Sequence, residues 1–230
     1  MRLFTGHDAR ESVGWHVFVQ SLIETSADYV LMPPLSGVQG NGSNAFTYSR
    51  FLVPQLCNHA GHAIFVDGSD MLLRADIREL WDMRDSSKAI QVVKHNYKTK
   101  HPRKYIGVEL ESENRDYPRK NWGSVVIFNA GHKSHFDHLH DIQHAIENFD
   151  GEYLHRFGWL DPDEIGELPA DWNHVIGELP ANPQAKIAHF SLGLPCFDYY
   201  ADCEFAEEWR ATASRAMRGM QYDFQMPSRR

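Results

Sequence analysis

The sequence is short of three features, and each shortage narrows what the protein can be. It has 3 cysteines in 230 residues, a small and odd number, so we expect reduced thiols rather than a disulfide framework. No apolar run approaches the roughly 20 residues that span a membrane, and the first residues lack the apolar core of a signal peptide, so we expect a cytoplasmic protein. Basic residues are outnumbered, 23 against 31 acidic ones, which argues against binding to nucleic acid.

The remaining composition is that of an ordinary folded protein. Hydrophobic residues make up 42% and charged residues 23%, and 230 residues suffice for a substantial core. No change of composition marks a second domain, so we predict one domain over residues 1–230, with a C-terminal helix and tail at 204–230. The hexapeptide Ile-Gly-Glu-Leu-Pro-Ala occurs at 165–170 and again at 176–181, which is too little for a repeat architecture.

Short apolar runs alternate with helix-like patterns along the chain. Trp15, Phe18 and Leu22 recur at helical spacing and predict an amphipathic helix. Further helices are predicted at 46–59, 76–83, 136–149 and 206–220. Strands are predicted at 3–5, 29–32, 63–66, 89–93, 124–128 and 185–190. Strands that alternate with helices indicate an α/β fold.

The most informative stretch follows the predicted strand at 63–66. Its four apolar residues run into Asp67 and Asp70, which a Gly-Ser pair separates. A buried strand that presents carboxylates at its C-terminal end is typical of ligand sites in open α/β sheets. Two carboxylates so close together repel each other unless a cation lies between them, and a divalent cation that also binds phosphate fits that role. A plain turn rich in Asp, Gly and Ser is the alternative.

Asp8 follows the first predicted strand and admits two interpretations. With Glu11 it has the spacing of a capping box for the helix that comes next. At the end of a strand it also faces the crevice that open α/β sheets use for ligands. Both interpretations hold together if a ligand lies over the N-terminus of that helix.

Three other segments rich in polar chemistry have ordinary explanations. Five histidines lie between His132 and His144, but no glutamate stands between His140 and His144 as in zinc proteases, so we favour a solvated helix. The basic run at 94–104 either meets a diphosphate or forms a solvated loop. The glycine-rich loop at 36–44 lacks the Gly-Lys-Ser/Thr end of a P-loop and does not indicate a nucleotide site by itself.

Several short motifs, taken in order, resemble those of a known family. They are Gly6-x-Asp8, Tyr48-Ser49-Arg50-Phe51, Phe65-Val66-Asp67-Gly68-Ser69-Asp70, Phe128-Asn129-Ala130-Gly131, Leu168-Pro169 with Trp172-Asn173, and Ala188-His189-Phe190. In this order they are similar to the GT-A nucleotide-sugar glycosyltransferases, in particular the glycogenin and bacterial lipooligosaccharide galactosyltransferase relatives. The resemblance covers residues 2–200. It implies a single GT-A (Rossmann-like) α/β domain in which helices flank a mixed central sheet.

The resemblance implies an enzyme that transfers a sugar from a nucleoside-diphosphate sugar, commonly a UDP-sugar, to a glycan, lipid or protein acceptor. It implies a Mn²⁺ (or Mg²⁺) cofactor, with Asp67, Asp70 and His189 as its ligands. Oxygen ligands with one imidazole suit Mn²⁺ better than Ca²⁺. Arg50 matches a donor-site arginine, and Asp67 also belongs to the donor site. Retention of the anomeric configuration is implied as well.

Further roles come from the same resemblance. Gly6 and Asp8 match residues that contact the nucleoside. Asn129 lies where the family's Phe-Asn-Ala-Gly segment touches the sugar or the acceptor, and it is predicted at the same sheet edge as the aspartates. The family also has an acidic or amide residue near the donor sugar, and Asp161 or Asp163 is its counterpart here.

Two departures from the family pattern leave alternatives open. The aspartate motif is Asp-Gly-Ser-Asp, one residue longer than Asp-x-Asp, so either Asp67 or Asp70 is the dominant metal ligand. The family's Lys-Pro-Trp after the histidine is missing, and either Lys186 or a lysine of the 94–104 segment is the candidate that contacts the diphosphate instead. A metal-dependent phosphoester hydrolase and a non-catalytic binding protein with a degenerate site remain the alternative functions.

Overall fold

The computed structural model describes residues 1–36, 38, 44–139, 141–148 and 151–218. The strands are β1 (Arg2–Thr5), β2 (Val30–Leu31), β3 (His62–Val66), β4 (Met71–Leu73), β5 (Ile90–Val92), β6 (Arg103–Lys104), β7 (Ser112–Glu113), β8 (Val125–Asn129), β9 (Ile165–Glu167), β10 (His174–Val175) and β11 (Ile187–His189). The α-helices are α1 (Ser12–Thr25), α2 (Val53–Leu56), α3 (Ile77–Trp81), α4 (Lys133–Leu139), α5 (Ile142–Asn148), α6 (Gly151–His155) and α7 (Ala206–Arg218). Within the described ranges, no helix combines the length and apolar character needed to cross a bilayer.

The central sheet has six strands in the order β2-β1-β3-β8-β5-β9. β8 runs antiparallel to both of its neighbours, β3 and β5, whereas the other pairs are parallel. Apolar side chains alternate between the two faces, so that Leu3 and Ile64 pack with α1 on one face and Phe4 and Phe65 pack with α2 and α4 on the other. The predicted α/β fold, with helices on both faces of a mixed sheet, is confirmed. The carboxyl ends of β1, β3 and β5 share one edge with the amino end of β8.

The chain leaves the central sheet directly after β3. Gly68 has a φ of 76°, a conformation that glycine adopts without strain, and it lets residues 67–70 turn into β4. β4 is an edge of a second sheet with the order β10-β11-β4, in which β11 is antiparallel to β4. Helix α1 packs closely against this turn, because a Cβ on Gly14 would lie only 1.9 Å from the carbonyl oxygen of Ser69.

Two helices differ from their predicted extents. The helix predicted at 46–59 is a turn of 3₁₀-helix over Ser49–Leu52 that continues into α2. It ends early because Asn58 and His59 adopt positive φ angles of 53° and 49°, which interrupt a right-handed helix. The helix predicted at 136–149 is divided into α4 and α5.

Parts of three sequence predictions lie outside the described residues. Only positions 36, 38 and 44 of the glycine-rich loop at 36–44 are described. His140, one of the clustered histidines, is not among the described residues either. The predicted terminal helix is confirmed as α7 up to Arg218, and the tail at 219–230 falls beyond the described part of the chain.

Candidate functional site

Three potential metal ligands meet at the carboxyl edge of the central sheet. Asp67 and Asp70 stand in the turn between β3 and β4, and His189 ends β11. The register of the second sheet pairs His189 with Met71, which brings the imidazole beside Asp70, with Nε2 3.1 Å from Oδ2. One ligand atom from each of the three side chains lies within 4.8 Å of the other two, and all three residues are buried.

The orientation of His189 is set by a neighbouring amide. Its Nδ1 lies 2.8 Å from Oδ1 of Asn173, and Nδ2 of Asn173 donates to the carbonyl oxygen of Asn121 at 2.9 Å. Because the amide nitrogen already donates to a carbonyl, its oxygen must accept from the Nδ1–H of His189. That arrangement turns Nε2 of His189 toward the aspartates, as the outer partner of a metal-binding histidine usually does.

Arg50 neutralises part of the negative charge of the aspartates. Its Nη1 lies 3.0 Å from Oδ1 of Asp67 in a buried ion pair. Main-chain carbonyls hold the guanidinium in place, since Nε donates to Thr47 at 3.0 Å and Nη1 donates to Gly123 at 2.7 Å. The guanidinium also lies over the ring of Phe65, 5.3 Å from its centroid. Arg50 is therefore a fixed, built-in cation of the site.

The pKa values of the three side chains shift in different directions. Burial raises the pKa of Asp67 and outweighs the opposing effect of Arg50. Burial acts on Asp70 in the same sense, but His189 outweighs it, so the pKa of Asp70 is lowered. Burial lowers the pKa of His189, whereas Asp70 raises it, and the net shift is upward. The raised pKa of Asp67 reflects the cost of burying its charged form, and a bound divalent cation would offset that cost.

The donor set fits a hard or borderline divalent cation. It combines two carboxylates with one imidazole, which suits Mn²⁺ and Mg²⁺. Oδ1 of Asp70 is buried and makes no hydrogen bond with the described residues, and the partner of Oδ1 of Asp67 is Arg50 in the ion pair described above, so both oxygens retain capacity to bind a cation. Within the described ranges this is the one group of three close acidic, histidine or cysteine side chains, and the described histidines of 132–144 form no second group.

The three ligands open into a cavity of about 590 Å³. Four basic side chains line it, and so do the acidic side chains Asp116 and Glu152. The basic residues are Arg50, Lys104, Arg115 and Arg119. A polar cavity with convergent charges of both signs suits a charged ligand bound together with a cation.

Lys104 is the basic residue of this cavity whose charge is least committed elsewhere. Its side chain makes no hydrogen bond or ion pair with the described residues, and its Nζ lies 5.4 Å from the centroid of the Tyr105 ring. Its positive charge acts on both Asp70 and His189. Of the two alternatives for the missing lysine, the 94–104 segment therefore supplies the one that faces the cavity.

Lys186, the other alternative, lies outside the cavity. Its ammonium forms an ion pair with Glu79 of α3 and lies 5.0 Å from the centroid of the Trp172 ring. It precedes β11, whose opposite end carries His189. Lys186 and His189 are three residue steps apart along extended chain, roughly 10 Å, so Lys186 serves the packing between α3 and the second sheet.

Asn129 is not brought to the site, and the prediction that it shares an edge with the aspartates is wrong. β8 is antiparallel to β3, so Asn129 pairs with His62 at the start of β3 rather than with Val66 at its end. The distance along the strand is roughly 13 Å. The amide of Asn129 donates to the carbonyls of Ser86 and Lys88, both at 3.1 Å, and so has a structural partner there.

Asp161 lies on that same remote edge, away from Asp67, Asp70 and His189. It precedes β9, and β9 starts at Ile165, which pairs with Ile90 of β5. Ile90 in turn pairs with Phe128, next to Asn129. Asp161 is exposed there, and its main-chain N–H donates to the carboxylate of Glu164 at 3.0 Å.

Gly6 and Asp8 lie at the predicted edge of the central sheet, but they act on the cavity through the segment that contains Ala45 and Phe46. A Cβ on Gly6 would lie 2.1 Å from the ring of Phe46, so glycine is required there. The carboxylate of Asp8 pairs with Arg10 and accepts from the N–H of Ala45 at 3.0 Å. The hydrogen bond from Arg10 is the main reason that the pKa of Asp8 is lowered to about 2. Both residues therefore hold in place the wall of the cavity that begins at Asn44 and includes Thr47 and Tyr48.

Glu11 is a carboxylate that the sequence pattern misassigned. The predicted capping box is only half formed, since Asp8 accepts from the N–H of Arg10, while Glu11 is 3% exposed and lies in the field of Asp70. Burial is the main reason that the pKa of Glu11 is raised to about 8. Burial raises the pKa of Tyr105, a residue that lines the cavity, and the charge of Glu11 also contributes to raising it.

The residues that sequence reasoning missed come mostly from one segment. They include Tyr105, Asp116, Tyr117, Arg119 and Asn121, all of which line the cavity. The only signal for them in the sequence is the way aromatic and basic residues alternate after residue 94, which is also common in solvated loops.

Comparison with solved structures identifies the class of fold. The WbbM bifunctional glycosyltransferase matches with a TM-score of 0.66 at 13% identity; the match covers 93% of this chain and 49% of WbbM, so the chain spans about half the length of that protein. The galactosyltransferase LgtC, solved in complex with donor and acceptor sugar analogs, matches with a TM-score of 0.55 at 13% identity over 95% of this chain and 99% of LgtC. The chain therefore has the fold of the GT-A glycosyltransferases, which confirms the resemblance of its motifs.

Comparison of sequences identifies the family. No family model matches the chain. Protein CDI of Arabidopsis thaliana is 37% identical to it over 225 residues, which covers 90% of this chain and 84% of Protein CDI. The chain therefore belongs to the family of Protein CDI.

Proposed function

We propose that the protein is a metal-dependent glycosyltransferase. It moves a sugar from a nucleoside-diphosphate sugar, in the first place a UDP-sugar, to a glycan, lipid or protein acceptor, with retention of the anomeric configuration. The observation that carries the proposal is the buried group of Asp67, Asp70 and His189 at the edge of a cavity lined by basic side chains. The fold supports it, because LgtC, which shares the fold, was solved with donor and acceptor sugar analogs.

Asp67, Asp70 and His189 are the residues that would hold Mn²⁺ or Mg²⁺. When bound, the ion acts as a Lewis acid that neutralises charge on the departing diphosphate. Asn173 holds His189 with its Nε2 toward the aspartates, and Arg50 restrains Asp67. Because these contacts form within the protein itself, the donor atoms are arranged before any ligand arrives.

Lys104 is the residue that we propose for contact with the diphosphate. Its ammonium, which has no ion pair within the described part of the chain, lies at the same cavity as Asp70 and His189, and charge-assisted hydrogen bonds to phosphate oxygens are strong. It would take the role of the lysine that follows the histidine in the glycogenin and galactosyltransferase relatives. The positive charge of Lys104 also favours departure of the nucleoside diphosphate, on which negative charge develops.

The nucleoside is proposed to lie along the wall that begins at Asn44. Gly6 and Asp8 support this wall, the former through Phe46 and the latter through Ala45. Asn44, Thr47 and Tyr48 are its polar side chains toward the cavity. They offer hydroxyl and amide groups suited to a ribose and a base.

A screen of nucleotide sugars tests the proposal. The protein is incubated with Mn²⁺ and each donor in turn, without acceptor, and release of the nucleoside diphosphate is measured. We expect slow, metal-dependent hydrolysis of at least one donor, lost in Asp70→Asn. Phosphate release from simple esters, with no hydrolysis of any nucleotide sugar, would instead identify a phosphoester hydrolase.

A further inference from the structure

The repeated hexapeptide places two glutamates in opposite surroundings. Glu167 of the first copy lies in the edge strand β9 and is exposed. Glu178 of the second copy is 2% exposed. A carboxylate is buried at such a cost only where it has several hydrogen-bond partners. The two copies thus share a sequence, but the glutamate of the second copy is buried, and the burial of Glu178 needs an explanation.

The carboxylate of Glu178 joins two distant parts of the chain. It accepts from the hydroxyl of Thr99, from the N–H of Lys100 at 3.1 Å, and from Nδ2 of Asn114 at 3.0 Å. Nζ of Lys120 donates to Oδ1 of Asn114 at 2.7 Å, which carries the network one residue further. Asn114 and Lys120 are buried as well, with exposures of 9% and 8%.

These contacts hold together the two ends of residues 99–121, which we call the cavity segment. Thr99 and Lys100 stand at its beginning, and Asn114 and Lys120 stand near its end. Between and beside these anchors lie the side chains that this segment contributes to the cavity. They are Lys104, Tyr105, Arg115, Asp116, Tyr117, Arg119 and Asn121.

We propose that Glu178 is a positioning residue that holds the cavity segment against the metal site and so sets the place of Lys104. The ligand that gains from this placement is the nucleoside diphosphate of the proposed function, on which this part of the inference rests. A second anchor lies close by, where the N–H of Tyr105 donates to the carbonyl of Leu192 at 2.6 Å. Glu178 holds the same segment at two further points, at residues 99–100 and at Asn114.

Glu178→Gln tests the proposal with almost no change of volume. Both carboxylate oxygens accept hydrogen bonds from N–H or O–H donors. A glutamine has only one acceptor oxygen, so its NH₂ group must face one of those donors. Glu167→Gln is the matched control, because it makes the same change in the same hexapeptide at an exposed position.

Limited trypsin digestion and UDP binding with Mn²⁺ are measured on both variants and on the unchanged protein. We expect Glu178→Gln to be cleaved within residues 98–120 about tenfold faster, and its apparent Kd for UDP to rise about tenfold, since a buried donor then lacks its acceptor. Glu167→Gln should match the unchanged protein in both. In the donor-hydrolysis assay, KM should rise more than kcat falls.

Each possible result either supports or overturns the proposal. Unchanged cleavage within 98–120 in Glu178→Gln overturns the proposal, and so does faster cleavage with unchanged UDP affinity. If the unchanged protein binds no UDP, the proposed function fails, and the cleavage pattern alone then decides whether Glu178 holds the segment. If Glu178→Gln does not fold, Thr99→Val is tested instead, because it removes one donor of the same network. We then expect both the cleavage rate and the apparent Kd for UDP to rise about threefold. Unchanged values in Thr99→Val would overturn the proposal.

Discussion

Nε2 of His189 lies 3.1 Å from Oδ2 of Asp70, although the two residues are 119 positions apart in sequence. The main chain enforces this closeness, because His189 pairs with Met71 across the second sheet and the N–H of Phe190 donates to the carbonyl oxygen of Asp70 at 2.8 Å. Two of the three proposed ligands are thus joined by strand pairing. The third, Asp67, is three residues away in the same turn.

Asn173→Ala should weaken metal binding without changing any ligand. The variant removes the acceptor of the Nδ1–H of His189, and outer partners of this kind typically contribute 10- to 100-fold to metal affinity. Calorimetric titration of Mn²⁺ in the presence of UDP measures the effect. Asn129→Ala is the control, since that amide also holds carbonyls but stands on the remote edge. Equal losses in the two variants would contradict the assignment of Asn173.

Lys104→Met should lower the affinity for UDP by about 10-fold or more, because a charge-assisted hydrogen bond to phosphate is lost while most of the side-chain volume stays. Lys186→Met should leave UDP affinity unchanged, because Lys186 pairs with Glu79 outside the cavity. Fluorescence or calorimetric titration with UDP and Mn²⁺ distinguishes them. If the loss follows Lys186 instead, the assignment of the diphosphate contact to Lys104 is wrong.

Gly14→Ala should destabilise the protein even though it lies in helix α1. In an exposed helix this change gains about 1 kcal/mol of stability. Here the new Cβ would meet the carbonyl oxygen of Ser69 at 1.9 Å, and overpacking of a core typically costs about 1–3 kcal/mol. The net effect is a lower free energy of unfolding, together with displacement of the turn that carries Asp67 and Asp70. Urea denaturation with and without Mn²⁺ measures both, and Val13→Ala, at an exposed neighbouring position, serves as the control.

Acid should destabilise the protein partly through His135. This residue is 0% exposed, and burial lowers its pKa to about 4 from an ordinary 6.5. Above pH 6.5 the residue is neutral in both folded and unfolded chains and contributes no pH dependence. As the pH falls from 6.5 toward 4, the unfolded chain binds a proton that the folded chain does not, so stability falls by about 1.4 kcal/mol per pH unit.

His135→Gln should remove this contribution and flatten the fall of unfolding free energy between pH 6.5 and 4. The exposed His138 lies on the same helix, and His138→Gln should leave the slope as it is. Denaturant titrations at several pH values provide the comparison. An unchanged slope in His135→Gln would show that other groups dominate acid unfolding.

The aspartate turn could be predicted because a local pattern encodes it: four buried apolar residues followed at once by carboxylates. His189 and Arg50 were identified from the family resemblance, and both lie at the cluster. Asn129 was misplaced because a short apolar run does not reveal the direction of its strand. Asp161 was assigned from the family resemblance alone, and the sequence pattern predicted no strand at β9. The antiparallel course of β8 carries Asn129 to the opposite edge.

For a related reason, Lys104 could not be identified from the sequence alone among the basic residues at 94–104. Its position depends on contacts to residues far along the chain, such as those of Glu178 with Lys100 and Asn114. The same hexapeptide surrounds the exposed Glu167. Local sequence therefore does not distinguish the glutamate that organises the cavity from the one that does not.

The central claim is that Asp67, Asp70 and His189 bind a divalent cation together with a nucleoside diphosphate. Thermal unfolding with UDP, with Mn²⁺ and with both tests it most directly. At ligand concentrations near 100 times Kd, we predict a Tm rise of about 5–10 °C with both ligands, much less with either alone, and none in Asp70→Asn. A Tm that does not change with both ligands, or that rises equally in Asp70→Asn, would contradict the claim.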